Sequence, residues 1–594
     1  MTIEKLYSEA FPSKRGGNLY SAFSYPTKIS PEVIAIFIAS HTKPGDVVLD
    51  TFAGSGTTGL ATLLCSNPTP EVVELAEKMN APVTWGPRHA VLYELSTLGA
   101  FVSNTMCNPQ DEELFLTEAD RLINKVQEKL GWMYRVKDPD GNEGTLRHVI
   151  WSEMLECNDC GSEISYWDNS VNFEPLSISP DFKCKECGAL TSTKNAKRVY
   201  EDYYDKLLNQ RFTRKKKVIK RIYGQTGNKK WSRNPTEQDE ILISKIEALS
   251  YSSFIPIQEM QWGDLYRSGY HNGITHFHHF YTKRNLHVFS MLWELIDEAP
   301  KSVQDALRFL VLSYNSSHST IMTRVVVKSN QKDLVLTGAQ SGVLYISNLP
   351  VEKNILLGLK RKLKTIYNAF KIVSKSTSTV QVVNGSSTEM EEVKNKSIDY
   401  IFTDPPFGDY IPYSELNFLN EVWLGHVTEK KDEAIISKSQ KKTVSNYQDL
   451  IEQVFNEIGR VLKDKGKATV VFHSSKAEVW RALQLAYQKA GLHIKLSSIL
   501  DKLQGSFKQV SSNVSVKGDP LLLLEKDSIL IDQVKFNESS IENQINDIIL
   551  TMKLNKEPIS KERIFSRFVN YRLENNLEVP MNAPEFYKIV SRMV

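Results

Sequence analysis

The chain has 594 residues, which is too many for one hydrophobic core and suggests about two to four domains. Hydrophobic residues make up 41%, and no apolar run approaches the roughly 18 residues that a membrane helix needs, so a membrane-spanning protein is excluded. The net charge of +3 is too small to indicate a nucleic-acid-binding protein by itself, so any such surface must be local. The N-terminal stretch lacks the apolar core of a secretory signal, and we expect a cytoplasmic protein.

A glycine-rich loop follows the first apolar strand. Residues 46–50 (DVVLD) lead into residues 51–59 (TFAGSGTTG) and then into a helix-like LATLL. Glycines let a backbone approach a ligand and a helix N-terminus offers free N–H groups, so this order predicts a nucleotide or cofactor cradle. A second apolar strand ends in Glu94, whose carboxylate is well placed to accept both ribose hydroxyls of a nucleoside cofactor.

The sequence FAGSGTTG after VVLD resembles the FxGxG cofactor motif of the amino-methyltransferases that act on DNA. Residues 28–33 resemble the flanking helix that caps the methionine end of the cofactor in that family, and residues 381–387 (QVVNGSS) match its third-strand cofactor loop. The resemblance implies S-adenosylmethionine as the cofactor. The residues that would contact it are Lys28, Asp50, Phe52, Gly54, Ser55, Gly56, Thr57, Thr58, Glu94, Leu95, Asn384, Ser386 and Asp404.

Four cysteines form two C-x2-C pairs, each followed by glycine: Cys157, Cys160, Cys184 and Cys187. In a cytoplasmic protein this spacing indicates metal ligation and not disulfides. Four thiolates fill a tetrahedral site, so we predict a structural zinc ion in a ribbon at about residues 150–195. The alternative is a coincidence among four core cysteines.

Residues 211–221 (RFTRKKKVIKR) form a basic run. Either Arg214, Lys215, Lys216 and Lys217 contact nucleic-acid phosphates, or the run is a solvated helix face. Farther along the chain, His271, His276, His278 and His279 cluster. Their spacing fits no metal-ligand pattern and no carboxylate accompanies them, so they either line a channel for the target base or pack in the protein.

Residues 397–403 (SIDYIFT) predict a buried strand that ends at Asp404, Pro405, Pro406 and Phe407. The prolines stop sheet pairing and hold the strand end rigid. An aryl amine is a poor nucleophile because its lone pair is delocalised. A carboxylate at Asp404 and the Pro405 carbonyl, each accepting one N–H, would draw the nitrogen toward tetrahedral geometry, and Phe407 would stack on an extruded base. Taken alone, the stretch is more typical of a strand with a Pro-Pro turn; the glycine loop reverses that balance.

The motif DPPF resembles the (D/N/S)-P-P-(Y/F/W) signature of the same family, in which aspartate is usual for adenine N6 and serine for cytosine N4. A similar signature occurs in guanine-N2 RNA methyltransferases. The longer stretch 404–425 resembles large bacterial DNA methylases, including some from anti-phage systems. This resemblance implies that Tyr410 and Tyr413, with Ser414 and Glu415, line the base pocket.

Alternating strands and helices predict an α/β fold: a doubly wound, Rossmann-like methyltransferase sheet with ligand sites at the strand C-termini. The cofactor loop and Asp404 must meet although they are far apart, so an insertion must interrupt the sheet. In the family this order of motifs is the alpha arrangement, with the target reader in the insertion. The predicted divisions are 1–130, the insertion 131–350, the catalytic part 351–526, and a helical appendage 527–594 for DNA or a partner subunit.

The sequence therefore predicts an S-adenosylmethionine-dependent DNA methyltransferase that modifies adenine N6 in a specific duplex sequence, in restriction-modification or phage defence. Double-stranded DNA is the expected partner, together with a restriction endonuclease or defence-system subunit, and no membrane. Cytosine-N4 DNA and guanine-N2 RNA methylation stay open. A non-catalytic zinc-ribbon subunit is a further alternative, but the intact Gly54, Gly56, Glu94 and Asp404 argue against it.

Overall fold

A computed structural model describes residues 3–8, 11–13, 16–109, 111–261, 263–266, 271–339, 344–409, 411–502, 518–526, 540–555 and 557–593. The chain divides into two compact units. The first comprises Met1–Gln110, Asn368–Asn417 and His426–Val594, and the second comprises Asp111–Tyr367 and Phe418–Gly425. The predicted insertion 131–350 lies inside the second unit, which also takes in residues 111–130 and 351–367.

The first unit is built on an eight-stranded sheet. Its strands are β1 (Phe11–Ser13), β2 (Val47–Asp50), β3 (His89–Glu94), β4 (Thr379–Asn384), β5 (Ile398–Thr403), β6 (Leu462–Val471), β7 (Leu492–Lys502) and β8 (Asp519–Lys526). Their order across the sheet is β1-β7-β8-β6-β5-β2-β3-β4. Strands β2 to β6 run parallel, while β8 is antiparallel between β6 and β7. The predicted α/β class with a large sheet is confirmed.

Apolar residues at helical spacing explain why helices cover this sheet. In the helix Val444–Val461 the buried side chains include Tyr447, Ile451, Phe455 and Ile458, and Thr443 caps its first turn. The other helices of the first unit are Glu4–Ser8, Gly17–Ser21, Pro31–His41, Thr57–Ser66, Pro70–Lys78, Thr97–Cys107, Ala477–Lys489, Ile541–Leu554, Lys561–Glu574 and Ala583–Met593. The helices Ile355–Val373 and Tyr413–Leu424 have bounds that cross the division between units.

The C-terminal helices are present as predicted, but they are not a separate appendage. Phe565, Phe568 and Phe586 belong to the same hydrophobic core as Trp480. The side-chain amide of Asn570 donates to a backbone carbonyl of β7 at 2.8 Å. The apolar faces of these helices are buried in the first unit, which is why they form part of its core.

The second unit centres on the long strand Glu143–Glu156 in a seven-stranded sheet. The other strands of that sheet are Arg135–Lys137, Glu163–Ser165, Lys197–Arg198, Lys217–Thr226, Lys229–Arg233 and Val351–Lys353. Two-stranded pairs are formed by Val171–Phe173 with Leu176–Ile178, Asp181–Lys183 with Leu190–Ser192, Tyr200–Asp205 with Gln210–Lys215, and Arg324–Val326 with Val335–Thr337.

The α-helices of the second unit are Glu112–Leu130, Tyr166–Ser170, Glu237–Ala248, Lys283–Leu295 and Lys301–Leu312. Shorter helical turns are Gly131–Tyr134, Phe277–Phe280, Ile296–Glu298 and Asn315–Ser319. Within the described ranges, no helix combines the length and the apolar character that crossing a bilayer requires.

Candidate active site

A cavity lies in the first unit at the carboxyl ends of parallel strands β2, β3 and β5, with the loop after β4 also in its wall. It encloses about 1260 Å³, part of which is open to solvent. Most of the sequence-predicted residues line it: Lys28, Asp50, Phe52, Gly54, Ser55, Thr57, Thr58, Glu94, Leu95, Ser386, Asp404, Pro405, Pro406, Phe407 and Tyr413. The glycine loop and the DPPF motif therefore meet in one cavity.

The glycine loop needs its glycines for its backbone and for close packing. Gly54 and Gly56 have φ angles of 55° and 80°, in the left-handed region. A Cβ atom on Gly56 would lie 2.9 Å from the Cα of Ser103. The loop can therefore follow this path, with backbone groups close to the cavity, only with glycine at that position.

Glu94 holds the glycine loop through backbone hydrogen bonds. Its carboxylate accepts from the N–H of Gly54 at 2.7 Å and from the N–H of Ser96 at 2.8 Å. Burial raises the pKa of Glu94 to about 7, although these donors oppose the shift. The carboxylate is therefore close to titrating at neutral pH, and hydroxyl donors from a ligand would favour its ionised form.

Asp50 occupies a similar setting at the end of β2. It accepts hydrogen bonds from the Thr58 hydroxyl at 2.6 Å, the Thr403 hydroxyl at 2.9 Å and the Phe52 N–H at 3.0 Å. Burial nevertheless raises its pKa to about 6. Among the described residues, nothing hydrogen-bonds the buried Ser55 hydroxyl in the same loop. An unsatisfied polar atom in a glycine cradle fits a polar ligand such as the predicted cofactor.

Two further predicted cofactor contacts, Lys28 and Ser386 in the loop after β4, line the cavity. The Lys28 amino group lines the cavity and donates to the backbone carbonyls of Tyr20 and Phe23 at 3.0 and 3.3 Å. Ser386 lines the cavity, and its hydroxyl lies 2.8 Å from that of Thr388. Two predicted contacts, Asn384 and Gly56, are not in the described lining. The side-chain amide of Asn384 instead donates to the backbone carbonyls of Glu94 and Leu95, at 3.0 and 3.1 Å.

The DPPF motif is fixed by a neighbouring helix. The Tyr447 hydroxyl donates to the Pro406 carbonyl at 2.6 Å. Within the described part of the chain, no donor hydrogen-bonds the Pro405 carbonyl, which leaves it for a ligand. Phe407 lines the cavity but also packs edge-on against Phe472, with ring centroids 5.6 Å apart. Its stacking on a base stays a prediction.

Aromatic surface is also provided by two tyrosines. The ring of Tyr413 stacks on that of Tyr25 at 6.0 Å, and its hydroxyl bonds to the Thr27 hydroxyl at 2.8 Å. Tyr410, the other predicted base-pocket tyrosine, lies outside the described residues. Sequence reasoning missed Tyr25, which precedes the predicted flanking helix and carries no motif of its own.

Sequence reasoning also missed Glu433 in the cavity wall. Its carboxylate accepts from the backbone and hydroxyl of Ser414 at 3.0 and 2.7 Å, and from the Gln440 amide at 2.6 Å. The predicted pocket residue Ser414 is therefore positioned by Glu433. No local pattern around Glu433 distinguishes it from a surface acid, so only its burial reveals it.

The cavity therefore combines a strand-end carboxylate, a carbonyl that no described residue hydrogen-bonds, and a glycine-rich loop. Residues 4–67 match the DNA methylase family model. The matched segment contains the helix Pro31–His41 and the whole glycine loop. The part of the chain that is similar to this family therefore lies at the cavity.

Comparison with solved structures gives distant likenesses. The antibiotic-resistance methyltransferase Kmr is 15% identical with a TM-score of 0.15, over 25% of this chain and 62% of its own. The structure titled PH0851 is 12% identical with a TM-score of 0.16, over 40% of this chain and 66% of its own. The chain thus spans less than two thirds of the length of either. No curated protein matches it.

The four cysteines of the second unit come together. The sulfurs of Cys157 and Cys187 are 3.8 Å apart, those of Cys160 and Cys184 are 4.0 Å apart, and all lie within 4.8 Å of one another. Four sulfurs about 2.3 Å from a zinc ion would be separated by about 3.8 Å. Backbone N–H groups of Cys160 and Asp159 lower the pKa of the Cys157 thiol to about 6. The cluster fits a zinc ion, and zinc binding stays a prediction.

The basic run lies on two strands, Gln210–Lys215 and Lys217–Thr226, and is not a helix face. Most of its cations have carboxylate partners: Arg214 with Glu201 at 2.7 Å, Lys215 with Glu153 at 3.9 Å, Lys216 with Glu163 at 2.6 Å, and Lys220 with Asp168. Lys217 has no ion pair with any described residue. The predicted phosphate contacts of Arg214 to Lys217 are untested, and these pairs compete with them.

The histidine cluster has a carboxylate that the sequence analysis did not find. Asp205 accepts from His278 Nε2 at 2.7 Å and from His279 Nε2 at 2.9 Å. The Thr275 backbone N–H donates to His279 Nδ1 at 3.1 Å, so the proton of a neutral ring lies on Nε2. A metal-bound histidine needs the opposite polarity. The three side chains therefore form a hydrogen-bond network, beside a second cavity that His278 and His279 line.

The remaining predicted histidines form other hydrogen bonds among the described residues. The ring of His271 donates to the Leu344 carbonyl at 2.6 Å, and His276 Nδ1 lies 2.9 Å from the Thr275 hydroxyl. The cavity beside His278 and His279 belongs to the second unit, so a channel for the target base in this region stays a prediction.

Proposed function

We propose that the protein is an S-adenosylmethionine-dependent methyltransferase that modifies adenine N6 in duplex DNA. One observation carries the proposal: the glycine loop, Glu94 and Asp404, which are far apart in the chain, line the same cavity. The DNA methylase match over residues 4–67 supports the reaction class. Adenine, duplex DNA and a role in restriction-modification or phage defence are the finer parts of the proposal.

The residues around the glycine loop would hold the cofactor, which supplies a methyl group activated on a sulfonium. Glu94 would accept the ribose hydroxyls, and the position of its carboxylate at the strand end beside the loop supports this role. The Ser55 hydroxyl offers a further hydrogen bond, since no described residue satisfies it. These residues bind and orient, and Lys28 closes the wall beside them.

Asp404 and the Pro405 carbonyl would hold the target amine. Each would accept one N–H, which would free the nitrogen lone pair from the ring. The bound cofactor would supply the methyl group in exchange for its C–S bond, and the amine would release one proton after the transfer. Asp404 already accepts a hydrogen bond from that amine, which makes its carboxylate the nearest acceptor. The Tyr447–Pro406 hydrogen bond keeps the motif in place.

The choice of adenine rests on the motif and on aromatic area. Aspartate before Pro-Pro is associated with adenine N6 in the family that the sequence resembles. The stacked Tyr25 and Tyr413 rings at the cavity offer a broad apolar surface, and a purine covers more of such a surface than a pyrimidine does. The second unit, with its cysteine cluster, is the proposed reader of the DNA sequence.

Mass spectrometry of nucleosides tests this proposal. Purified protein is incubated with a methyl-labelled cofactor and either duplex DNA or structured RNA, and the polymers are digested. We expect labelled N6-methyladenine from DNA alone. Labelled N4-methylcytosine would overturn the choice of base, and labelled guanine from RNA would overturn the substrate class. Binding of DNA without any labelled product would favour the non-catalytic alternative.

A further inference from the structure

Three cations of the second unit converge from distant parts of the sequence: Arg147, Lys353 and Arg361. They lie on three elements, the strand Glu143–Glu156, the strand Val351–Lys353 and the helix Ile355–Val373. We call these residues the convergent cations. Arg147 and Lys353 are isolated basic residues in the sequence, while Arg361 lies in the basic stretch 360–364 (KRKLK), so no single sequence motif contains all three.

A β-bulge on the long strand places Arg147 in this group. The strand Lys217–Thr226 pairs Tyr223 with His148 and then Gly224 with Leu146, so Arg147 has no partner on that strand. Bulges re-aim side chains away from strict alternation. On the other side of the strand Lys353 pairs directly with His148, and the Arg147 carbonyl accepts from the N–H of Asn354 at 3.0 Å. The backbones of Arg147 and Lys353 are therefore neighbours.

The charges of the convergent cations oppose one another. Burial lowers the pKa of Lys353 to about 8, and the charge of Arg361 lowers it further. Burial and then the charge of Arg361 also lower the pKa of Arg147. Side-chain contacts also link Arg361 to Lys353. Arg361 hydrogen-bonds to Tyr314, whose ring centroid lies 4.6 Å from that of His318, and His318 Nδ1 is 2.8 Å from the Lys353 amino group.

The histidines beside them do not compensate the charge. Burial, followed by the nearby cations, lowers the pKa values of His148 and His318 to about 3, so both rings are neutral at physiological pH. The Lys353 amino group donates to His318 Nδ1 at 2.8 Å, which agrees with an unprotonated nitrogen. Lys362 adds a further positive charge near His318.

Nearby carboxylates are engaged elsewhere. Glu352, the neighbour of Lys353, lies 3.0 Å from Arg284, and Asp333 accepts from the Tyr223 hydroxyl at 2.8 Å. Among the described residues, no carboxylate forms an ion pair with a convergent cation. Partly buried cations that have no carboxylate partner destabilise the protein when no ligand is bound. A bound anion would offset this destabilisation.

We infer that Arg147, Lys353 and Arg361 bind adjacent phosphates of the DNA backbone; the choice of DNA rests on the proposed function. A phosphodiester carries one negative charge and two accessible oxygens, which guanidinium groups bind in a bidentate manner and an ammonium group binds as a point charge. Arg361 is exposed, while Arg147 and Lys353 are partly buried, so the group is accessible to a polymer at one side.

The test is the salt dependence of DNA binding by the full-length protein without cofactor, followed by the fluorescence anisotropy of a labelled duplex. The test variant is K353Q/R361Q, in which glutamine keeps an N–H donor toward His318. The matched control is R121Q/K125Q, which removes one arginine and one lysine of the second unit that are paired with Glu118 and Glu298. The plot of log affinity against log salt has a negative slope. We expect this slope to become less steep by ~0.9 for each phosphate that the test variant no longer binds, and to stay unchanged in the control.

Several outcomes would overturn the inference. An unchanged slope in K353Q/R361Q would do so, and so would equal falls in both pairs, because total charge and not location would then govern binding. Thermal melting checks folding, and we expect the test variant to melt no lower than the wild type because repulsion is relieved. If it does not fold, the exposed single variant R361Q carries the same test with an expected fall of ~0.9.

Failure of the inference and failure of the proposed function are distinguishable. Methylation of DNA by the wild type, with an unchanged slope in the variant, sinks only the inference. A reduced slope in the variant, with no methylated base formed by the wild type, supports the cation assignment and sinks only the proposed reaction. A duplex RNA bound more tightly than DNA would overturn the choice of DNA.

Discussion

Among the residues that the structure describes, each unit holds buried or partly buried ionisable groups that form no ion pair, and these are acids in the first unit and cations in the second. In the first unit, neutral groups donate hydrogen bonds to Asp50 and Glu94, and burial raises the pKa values of these two acids to about 6 and 7. In the second unit, Arg147 and Lys353 have lowered pKa values and lie near Arg361. A ligand with hydrogen-bond donors would stabilise the ionised acids of the first unit, and an anionic ligand would stabilise the cations of the second unit.

The paired basic strands teach the complementary lesson. The run 211–221 is the most basic stretch to the eye, yet Arg214, Lys216 and Lys220 each meet a carboxylate. Residue type alone is therefore a weak sign of a binding site. A missing partner in a partly buried place is a stronger sign, because it costs free energy that only a ligand recovers.

The largest expected effect concerns the acidic side of this comparison. Asp404→Ala removes the acceptor that orients the amine, so we expect methyl transfer to fall by ~10²-fold or more while cofactor binding persists. Asp409→Ala is the matched control, since that exposed carboxylate pairs with Lys476 at 3.0 Å and is not among the lining residues. More than about a tenth of wild-type activity in Asp404→Ala would refute the assigned role.

The cysteine cluster tests whether the second unit needs an ion of its own. We expect one zinc atom per chain, lost in the double variant Cys157→Ser/Cys160→Ser, because four thiolates make the site. Chelation should unfold the ribbon before the core of the first unit. Elemental analysis measures the zinc content. The double variant His278→Gln/His279→Gln is the control and should retain the zinc. If elemental analysis finds no zinc in the purified wild-type protein, the prediction is wrong.

The pH dependence of cofactor binding tests the role of Glu94 in the first unit. Ribose hydroxyls donate to ionised Glu94, so binding favours loss of its proton. We therefore expect affinity to be constant above pH 8 and to weaken as pH falls through about 7, by at most about tenfold per pH unit. Titration calorimetry from pH 6 to 8.5 measures this. Glu94→Gln should bind more weakly and lose this dependence; a wild-type slope in that variant would assign the titration to another group, such as Asp50.

The same group gives a stability prediction with a definite sign. The pKa of Glu94 is raised in the folded protein, so its favourable contribution is present below its unfolded pKa and is lost as pH rises through about 7. Without cofactor, Glu94→Gln should therefore melt a few degrees above the wild type at pH 8, with a smaller difference at pH 5. A lower melting temperature at pH 8 would mean that the carboxylate is needed to hold the loop.

The smallest effect is expected on the paired strands. Lys216→Gln should leave the salt slope of DNA binding unchanged, because its charge already meets Glu163 at 2.6 Å. Lys217→Gln should make the slope less steep by ~0.9 at most, since Lys217 lacks an ion pair among the described residues. Anisotropy titrations compare the two directly. A fall for Lys216→Gln as large as for Lys217→Gln would restore the whole run as a phosphate-binding surface.

Several features were determined by the sequence itself. The apolar strand before FAGSGTTG and the strand before DPPF follow from local hydrophobic patterns, and the structure has both. The C-x2-C pairs follow from local turns, in which Gly161 and Gly188 take φ angles of 72° and 77°. Such signals are readable because each is complete within a few residues.

Only the tertiary structure brought together the features that depend on distant pairing. Asp205 joins His278 across the fold, Glu433 positions Ser414, and the C-terminal helices pack in the first core. The convergent cations likewise meet through a β-bulge and a strand pairing some 200 positions apart in the chain. A single sequence gives hydrophobic period and turn chemistry, but the partner of each buried charge is fixed by packing between remote segments.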